Sequence, residues 1–261
     1  MSEGGSGALA LSWSGGKDSA LALRALREEM RVEPVALLTT ITEDYDRISM
    51  HAVRSELLRA QARATGIELI EIPIPAGCVN ATYEERMEAA LGSPPLDRVP
   101  VVAFGDLFLE EVRAYREERL TGAGRSALFP LWGRDTAALA REFIATGFEA
   151  TLVSVDPRQL DADFVGRRFD DSLLADLPEG VDPCGENGEF HTFVHGGPIF
   201  DAPIPVELGE VVTRDGFAFQ DLLLVEDPPP AVENSPAVRL RAGGGGAGDG
   251  ASSPSCRPPA L

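Results

Sequence analysis

The chain has 261 residues, of which 44% are hydrophobic, and its 42 acidic and 23 basic residues give a net charge of −19. The segment from Pro229 onwards, with three arginines and two acids, contributes +1, so the preceding 228 residues carry −20. A surface this acidic repels phosphate backbones, which argues against bulk DNA or RNA as a partner. The hydrophobic share is enough for one large core or two modest ones.

The same sequence argues against a membrane protein. No apolar run approaches the roughly 18–20 residues that span a bilayer, and the N-terminus lacks the basic region and apolar core of a signal peptide. The three cysteines, Cys78, Cys184 and Cys256, are far apart and match neither CxxC nor a usual zinc spacing. We therefore expect a cytoplasmic protein with no membrane partner.

The first part of the chain alternates between short apolar runs and amphipathic segments. We predict strands at residues 8–12, 34–42, 68–74, 99–104, 127–132 and 149–155. We predict helices after Gly16 and at 51–65, 80–91, 107–120 and 136–146. Strands separated by such helices are typical of parallel βαβ units. The predicted fold class is α/β, a parallel sheet flanked by helices with a smaller C-terminal α+β subdomain.

The pattern changes after Asp156-Pro157, where an acidic and partly helical stretch (161–178) precedes short strands near 190–194, 206–213 and 217–225. We predict three segments: an α/β domain over 1–157, a smaller α+β substrate subdomain over 158–226, and a disordered tail over 227–261. Glycine and proline supply 12 of the final 33 residues. Such a composition cannot bury enough surface to offset the entropy of ordering.

The sequence Ser14-Gly15-Gly16-Lys17-Asp18-Ser19 lies directly between the first predicted strand and the first predicted helix. Its glycines let backbone N–H groups close on an anion, and the start of the helix adds donors and the positive end of the dipole. Ser14 and Ser19 can donate hydroxyl hydrogen bonds, and Lys17 supplies a compact positive charge. The spacing is neither that of a Walker A loop nor GxGxxG. A glycine-rich turn before an ordinary helix is the alternative interpretation.

This loop matches SGGxDS, the signature of the PP-loop ATP pyrophosphatases, also called the adenine nucleotide α-hydrolase-like group. Three further stretches narrow the resemblance: 105–110 (GDLFLE), 128–136 (LFPLWGRDT) and 182–192 (DPCGENGEFHT). Together the four motifs resemble the diphthine–ammonia ligase family, also called the diphthamide synthase ATP-binding domain. The resemblance spans roughly residues 8 to 200 and implies the PP-loop fold, with the ATP-binding domain over 1–157.

The resemblance also implies a reaction. ATP activates a carboxylate by attack on the α-phosphate, and ammonia then displaces AMP; in the family the acceptor is diphthine, a modified histidine on elongation factor 2. The implied partners are ATP, ammonia and a carboxylate acceptor, and the sequence leaves a homodimer open. We expect Mg²⁺ as cofactor, because it takes carboxylate and phosphate oxygens together. The implied ATP-binding residues are Ser12, Ser14, Gly15, Gly16, Lys17, Asp18 and Ser19.

Several side chains are candidates for the chemistry. The catalytic candidates are Lys17, Asp18, Glu186, Glu189 and His191. Asp18 would hold or orient Mg²⁺, or else only stabilise the start of the helix. Glu186 and Glu189 would orient ammonia, deprotonate ammonium or bind metal, or lie on a solvated surface. His191 would act as an acid–base group or bind a carboxylate, or be structural.

Substrate-binding candidates follow from the strand ends and from the last motif. They are Asp106, Arg134, Cys184, Gly185, Asn187, Gly188 and Thr192. Arg134 could bind a carboxylate through two N–H donors, or lie beside an Asp135 that only caps the helix. Asp106 could likewise be a helix cap, and Cys184 could be a buried free thiol. His51 is a further candidate near the adenine. Residues 110–119 read as a solvated helix face.

The last motif departs from the family pattern, which is close to GEGGEFET. Asn187 replaces a glycine and His191 replaces a glutamate, at positions where the acceptor would be selected. Two other functions stay open: a PP-loop tRNA-modifying enzyme and a non-catalytic adenine-nucleotide sensor. A tRNA-modifying enzyme would need paired cysteines and a basic face. The intact phosphate loop argues against a non-catalytic sensor.

Overall fold

The computed structural model describes residues 8–43, 47–48, 53–75 and 80–225. The predicted tail, His51, Cys78 and Cys256 lie outside these residues. The described strands are β1 (Leu9–Ser12), β2 (Ala36–Thr42), β3 (Arg47–Ile48), β4 (Leu69–Ile74), β5 (Val101–Ala103), β6 (Ser126–Leu128), β7 (Glu149–Val155), β8 (Phe190–Gly196), β9 (Val206–Arg214) and β10 (Phe217–Leu224). The helices are α1 (Lys17–Glu28), α2 (Ser55–Thr65), α3 (Asn80–Leu91), α4 (Glu110–Gly122), α5 (Thr136–Ala145) and α6 (Asp171–Asp176).

The first sheet is parallel and has the order β4–β2–β1–β5–β6. The two-residue β3 adds an antiparallel pairing at the end of β2. The predicted α/β class, with a parallel sheet flanked by helices and a smaller antiparallel sheet after it, is confirmed. Strand β6 is shorter than predicted because the chain turns after Leu128, where Pro130 cannot donate a ladder hydrogen bond.

The second sheet is antiparallel, with the order β8–β7–β10–β9. Its member β7 has the predicted bounds, but the prediction that it is a sixth strand of the parallel sheet is wrong: it pairs antiparallel with β8 and β10. The six residues that follow Glu149 in this strand are all buried. An apolar run of this kind suits either sheet, so periodicity could not assign it. The domain boundary at residue 157 stays a prediction.

The helix ends show why these segments form. Gly66 ends α2 in the left-handed conformation that glycine favours. Asp135 caps α5 through a 2.7 Å hydrogen bond from the Ala138 N–H to its carboxylate. Helix α4 begins at Glu110 after Leu109, so Asp106 does not cap it.

Apolar side chains pack on both faces of the parallel sheet. On one face Ala10, Leu38 and Val102 pack with residues of α3 and α4. On the other face, Leu11 and Leu37 pack with α1 and α2, and the same core continues to Leu152 and Phe193 of the second sheet. The second sheet thus rests on the helices that flank the first, and this packing determines where the ends of its strands lie.

No helix in the described ranges combines the length and the apolar character that a membrane span needs.

Candidate active site

A cavity of about 700 Å³ opens at the carboxyl ends of β1 and β5, the edge where ligands bind in open α/β sheets. The first wall is the Ser14–Ser19 loop, the second is the loop after β5, and the third is the segment 184–192 that leads into β8. The predicted site residues that line the cavity are Ser12, Ser14, Gly16, Lys17, Asp18, Ser19, Asp106, Cys184, Gly185, Glu186, Asn187, Gly188, His191 and Thr192. Three segments that are far apart in the sequence therefore meet in one place.

The phosphate loop is held from behind by the second sheet. The Gln61 side-chain amide donates to the carbonyl oxygens of Gly15 and Val194, at 2.9 and 2.6 Å, and the Val194 N–H donates to Gly15 at 2.9 Å. Gly15 has a φ of +75°, and a Cβ there would lie 2.7 Å from the Gln61 side chain. Gly15 itself does not line the cavity, so its part in the site is to let the loop make this turn.

Helix α1 points its N-terminus at the cavity. Its N-cap is Gly16, which has no side chain to cap it, and the Lys17 N–H donates to the Thr192 hydroxyl at 3.1 Å. The Ser19 hydroxyl donates to the Gly16 carbonyl at 2.9 Å. The first N–H groups of a helix lack intrahelical acceptors, so this end of α1 suits an anion.

Lys17 is buried, with 3% of its surface exposed, and its Nζ lies 2.8 Å from the Asp18 carboxylate and 5.7 Å from the centre of the Phe190 ring. Burial alone would lower the pKa of Lys17, but the charge of the adjacent Asp18 carboxylate and its hydrogen bond with the amine offset this and leave the pKa above its ordinary value. The amine is therefore protonated at neutral pH. Asp18 is less buried, with 29% of its side chain exposed.

The 182–192 segment is organised by two buried carboxylates. Asp182 accepts hydrogen bonds from the N–H groups of Cys184 and Glu186, at 3.2 and 3.0 Å. Glu189 is 2% exposed and accepts three hydrogen bonds at 3.0 Å, from the Asp182 N–H and from the backbone and side chain of Asn187. Glu189 does not line the cavity. Its oxygens are occupied in holding the loop, and a catalytic role for Glu189 stays a prediction.

Glu186 lies differently from Glu189. Its Oε1 accepts the Leu107 N–H at 2.8 Å, which ties the 182–192 segment to the loop after β5, while the side chain still lines the cavity. Burial raises the pKa of Glu186 to about 7, and the carboxylates of Asp18 and Asp106 add to the rise. A carboxyl group with this pKa can accept and release a proton near neutral pH.

Cys184 is buried and His191 is partly buried, and both line the same cavity. Burial, with a smaller contribution from Lys17, lowers the pKa of His191 to about 4, so its imidazole is neutral at pH 7. Burial raises the pKa of the Cys184 thiol to about 12, and the thiol donates to the Thr136 carbonyl at 3.3 Å. Cys184 is therefore a poor nucleophile here.

Two glycines let the walls of the cavity meet. A Cβ on Gly105 would lie 2.8 Å from the carbonyl carbon of Asp18, so only glycine lets the loop after β5 pack on the start of α1. Gly185 makes a similarly close approach, 2.8 Å, to the Phe190 carbonyl oxygen. These contacts explain the glycines of two motifs without giving them a role in catalysis.

Arg134 lies elsewhere. Its guanidinium pairs with Glu142 at 2.8 Å and with Glu29 at 3.3 Å, and it does not line the cavity. The prediction that Arg134 binds a substrate carboxylate is therefore not supported by its position. The strand end that motivated the prediction is real, but the chain turns at Leu131–Gly133 before Arg134 is reached.

Arg116 is a cavity residue that the sequence reading missed. The charged pattern of residues 110–119 predicts a solvated face for it, yet it lines the cavity together with Leu109 and Val112. These three positions follow helical spacing, i, i+3 and i+7, which was the available signal. The neighbouring Arg113 does follow the prediction, pairing with Glu117 at 2.8 Å on the outer face.

The β9–β10 hairpin also reaches the cavity. Asp215, Phe217 and Phe219 line it, and the two rings lie 6.2 Å apart. The sequence offered no signal for this contact, because it depends on how the second sheet packs against the first.

A smaller pocket of about 170 Å³ adjoins the cavity at the ends of β1, β2, β4 and β5. Its lining includes apolar Leu38, Ile72 and Met87 and polar Thr39 and Thr40. Four residues line both spaces: Ser12, Ser14, Phe104 and Arg116. The smaller pocket therefore supplies apolar side chains, and the larger cavity supplies the phosphate loop and the charged groups.

The charges of the cavity are mostly negative. Among the described residues that line it, Lys17 and Arg116 are the cations, and the carboxylates are Asp18, Asp106, Glu186 and Asp215. The described part of the chain contains no group of three His, Cys, Asp or Glu side chains placed to hold a metal ion. A phosphate ligand would thus meet few cations and several carboxylates.

Comparison with known proteins identifies the family. Residues 7–122 match the model of the diphthamide synthase N-terminal domain, and residues 135–220 match that of the diphthamide synthase C-terminal domain. The chain belongs to the diphthamide synthase family. The two matches include all three walls of the cavity.

Curated relatives agree with this family. The chain is 28% identical over 152 residues to the diphthine–ammonia ligase of Bos taurus, which covers 56% of this chain and 57% of the relative. It is 36% identical over 94 residues to that of Homo sapiens, covering 34% of this chain and 35% of the relative. The match to that of Mus musculus is 27% over 227 residues, with 79% and 85% covered. The alignments with the bovine and human relatives thus span about half and a third of those proteins.

Proposed function

We propose that this protein is an ATP-dependent carboxylate–ammonia ligase that forms AMP and pyrophosphate. The amide product is suggested by the name of its relatives, diphthine–ammonia ligase. One observation carries the proposal: the Ser14–Ser19 loop and the 182–192 segment, two of the four family motifs, line a single cavity. The loop offers N–H donors and a cation, and the segment offers a carboxyl group that titrates near neutral pH.

In the proposed first step, the acceptor carboxylate attacks the α-phosphorus of ATP. A bond forms between that oxygen and phosphorus, the bond to the bridging oxygen breaks, and pyrophosphate leaves with its electrons. The start of α1 and the protonated Lys17 suit the departing pyrophosphate, because they neutralise charge that grows as the bond breaks. The adjoining pocket suits the adenosine, with Leu38, Ile72 and Met87 for the base.

In the second step, ammonia attacks the acyl carbon and AMP leaves with the former carboxylate oxygen. At neutral pH most ammonia is ammonium, so protons must be removed before and during the attack. Glu186 is the proposed acceptor, because it lines the cavity and its pKa is raised to about 7. The neutral His191 can hydrogen-bond the acceptor without repelling ammonium.

Mg²⁺ is proposed as cofactor, and the donor set of the cavity fits it. The Asp18 and Asp106 carboxylates would hold the ion, because Mg²⁺ is bound by one or two carboxylates together with substrate phosphates and keeps several waters. A cage of three protein ligands is therefore not needed. When bound, Mg²⁺ neutralises phosphate charge in a cavity that is rich in carboxylates.

Diphthine on a protein is the first acceptor to test, since the relatives are named for it. The experiment incubates the protein with ATP, Mg²⁺, ammonium and either diphthine-bearing elongation factor 2 or small carboxylic acids, and identifies the nucleotide product. The expected result is AMP that depends on both acceptor and ammonium. ADP as product, or no nucleotide turnover with any acceptor despite ATP binding, would overturn the proposal.

The alternatives receive less support. Sulfur transfer to tRNA wants a reactive thiolate, and the Cys184 thiol has its pKa raised to about 12. Adding tRNA to the same assay tests this alternative directly, because a tRNA-dependent formation of AMP would favour it. ATP binding without turnover would instead favour a nucleotide sensor.

A further inference from the structure

Arg116 lies where the two spaces of the site meet. It is one of the four residues that line both the 700 Å³ cavity and the 170 Å³ pocket, and the other three, Ser12, Ser14 and Phe104, carry no charge. If the pocket takes the nucleoside and the cavity takes the pyrophosphate, the group at the junction is the phosphate that joins them. Among the described residues, Arg116 is thus the cation at the junction.

The guanidinium is held in place but keeps unused hydrogen-bonding capacity. Its plane lies over the Phe104 ring, 4.2 Å from the ring centre, and its Nη2 donates to the Asp106 Oδ1 at 3.1 Å. The Nε and the Asp106 Oδ2 form a buried ion pair 2.8 Å apart, which fixes the guanidinium. Nη1 makes no hydrogen bond to a described residue, so its N–H groups stay available to a ligand.

The charge of the site gives the second argument. Lys17 is paired with Asp18 and Arg116 with Asp106, each at 2.8 Å, so both cations of the cavity already face a carboxylate. ATP adds about four negative charges to a space with four carboxylates. A second cation that can bind two phosphate oxygens at once is what arginine supplies, and lysine does not.

We propose that Arg116 binds the α-phosphate of the nucleotide, and that it keeps this contact in the AMP product. Asp106 and the Phe104 ring position the guanidinium for the contact. The proposal rests on the proposed function only in that the ligand is an adenine nucleotide; it requires neither an acceptor nor turnover.

The test compares ligands that contain different parts of ATP. Wild-type protein and the R116Q variant are titrated by calorimetry with adenosine, AMP, ATP and pyrophosphate, each with Mg²⁺. The expected result is a 10- to 30-fold loss of affinity for AMP and ATP, with adenosine and pyrophosphate changed less than twofold. The R116K variant should recover part of the loss, because it restores the charge without the planar fork.

Arg113→Gln is the matched control. Arg113 lies on the same helix but packs over Phe129 and Trp132 and pairs with Glu117, outside the cavity. This variant should bind all four ligands as the wild type does, and thermal melting of each variant without nucleotide checks the fold. If R116Q does not fold, R116K alone decides, with a three- to tenfold loss for AMP expected.

Three results would overturn the proposal. Unchanged AMP affinity in R116Q shows that the contact is not made. Equal losses for AMP and adenosine place Arg116 in the nucleoside pocket, and an equal loss for pyrophosphate places it with the β,γ-phosphates. Failure of the proposed function is distinguishable, because it is seen in the wild type as an absence of AMP formation.

Discussion

Two loops that line the cavity are built in different ways. The Ser14–Ser19 loop presents backbone N–H groups and one lysine, and it is held from behind by Gln61 and by Val194 of β8. The 182–192 segment is held by its own side chains, since Asp182 and Glu189 accept its backbone N–H groups. The Ser14–Ser19 loop is held through its backbone, so its side chains stay available to a ligand. The 182–192 segment uses some of its own side chains to hold its conformation.

Glu186 and Glu189 make this difference concrete. They are three residues apart, and both looked equally suited to catalysis in the sequence. Glu189 accepts three hydrogen bonds within the protein, whereas one oxygen of Glu186 accepts one N–H and the side chain lines the cavity. Substitutions at the two loops should therefore separate loss of activity from loss of stability.

The largest effect is expected from Lys17→Ala. Removal of the buried ammonium leaves Asp18 unpaired beside the phosphates, and AMP formation should fall about 1,000-fold, the upper range for loss of one charge-stabilising donor. The measurement is the rate of AMP formation with saturating acceptor. Arg24→Ala on the same helix, whose partners are Glu28 and Glu142, is the control and should stay within twofold. A Lys17→Ala rate within tenfold of the wild type would contradict the assigned role.

Glu186→Gln should reduce amide formation about 100-fold, within the range for a general base. Because the pKa of Glu186 is raised to about 7, the wild-type rate should rise with pH through about 7 as the carboxylate forms. The variant should lose this rise. A variant profile that keeps the same midpoint would assign the titration to another group.

The same pKa has a stability consequence of definite sign. A glutamate with a raised pKa holds its proton more tightly in the folded protein than in the unfolded chain, so stability falls as pH increases from about 4.5 to about 7. Glu186→Gln should be at least as stable as the wild type at pH 8. Urea unfolding at pH 5 and pH 8 measures this difference.

Glu189→Gln should act on stability instead. The glutamine offers one acceptor oxygen where the carboxylate offered two, so one buried N–H loses its partner, and unfolding should become easier by about 2 kcal/mol. For a domain of this size the melting temperature should fall by about 4–8 °C. A variant with unchanged melting temperature and abolished activity would return Glu189 to the catalytic residues.

The smallest effect is expected from Cys184→Ala. The thiol is buried, its pKa is raised to about 12, and its hydrogen bond goes to the Thr136 carbonyl. AMP formation should change less than threefold, with about 1 kcal/mol lost from stability through the small cavity. A larger loss of activity, or rapid alkylation of Cys184 at pH 7 detected by peptide mass spectrometry, would revive a thiol mechanism.

The sequence predicted the parts of this protein that depend on local pattern. Most strand and helix bounds follow periodicity, although β3 was not predicted and β6 is shorter than predicted. The phosphate loop follows from its glycines and its position before α1. What it could not predict depends on packing over long distances. Strand β7 joins the second sheet because of partners that come later in the chain. The inward direction of Arg116 depends on how α4 packs, and the hydrogen bonds of Glu189 form only once its own loop is folded.

Arg134 shows the converse. It follows a strand end in a family motif, and the rule for ligand sites in α/β sheets pointed to it. The chain turns before it, and two glutamates take its charge. A rule about the end of a strand holds for the residues that immediately follow the strand, such as Gly105 and Asp106 after β5.

The burial of Lys17 has one more consequence, because it is the only lysine in the sequence: the other 22 basic residues are arginines. The chain thus has no other ε-amine, and this one is protonated and enclosed. General acylating reagents at neutral pH should modify only the terminal amine. An amine-reactive analogue of ATP, directed by its phosphates, should instead label a single internal peptide, and ATP should protect it.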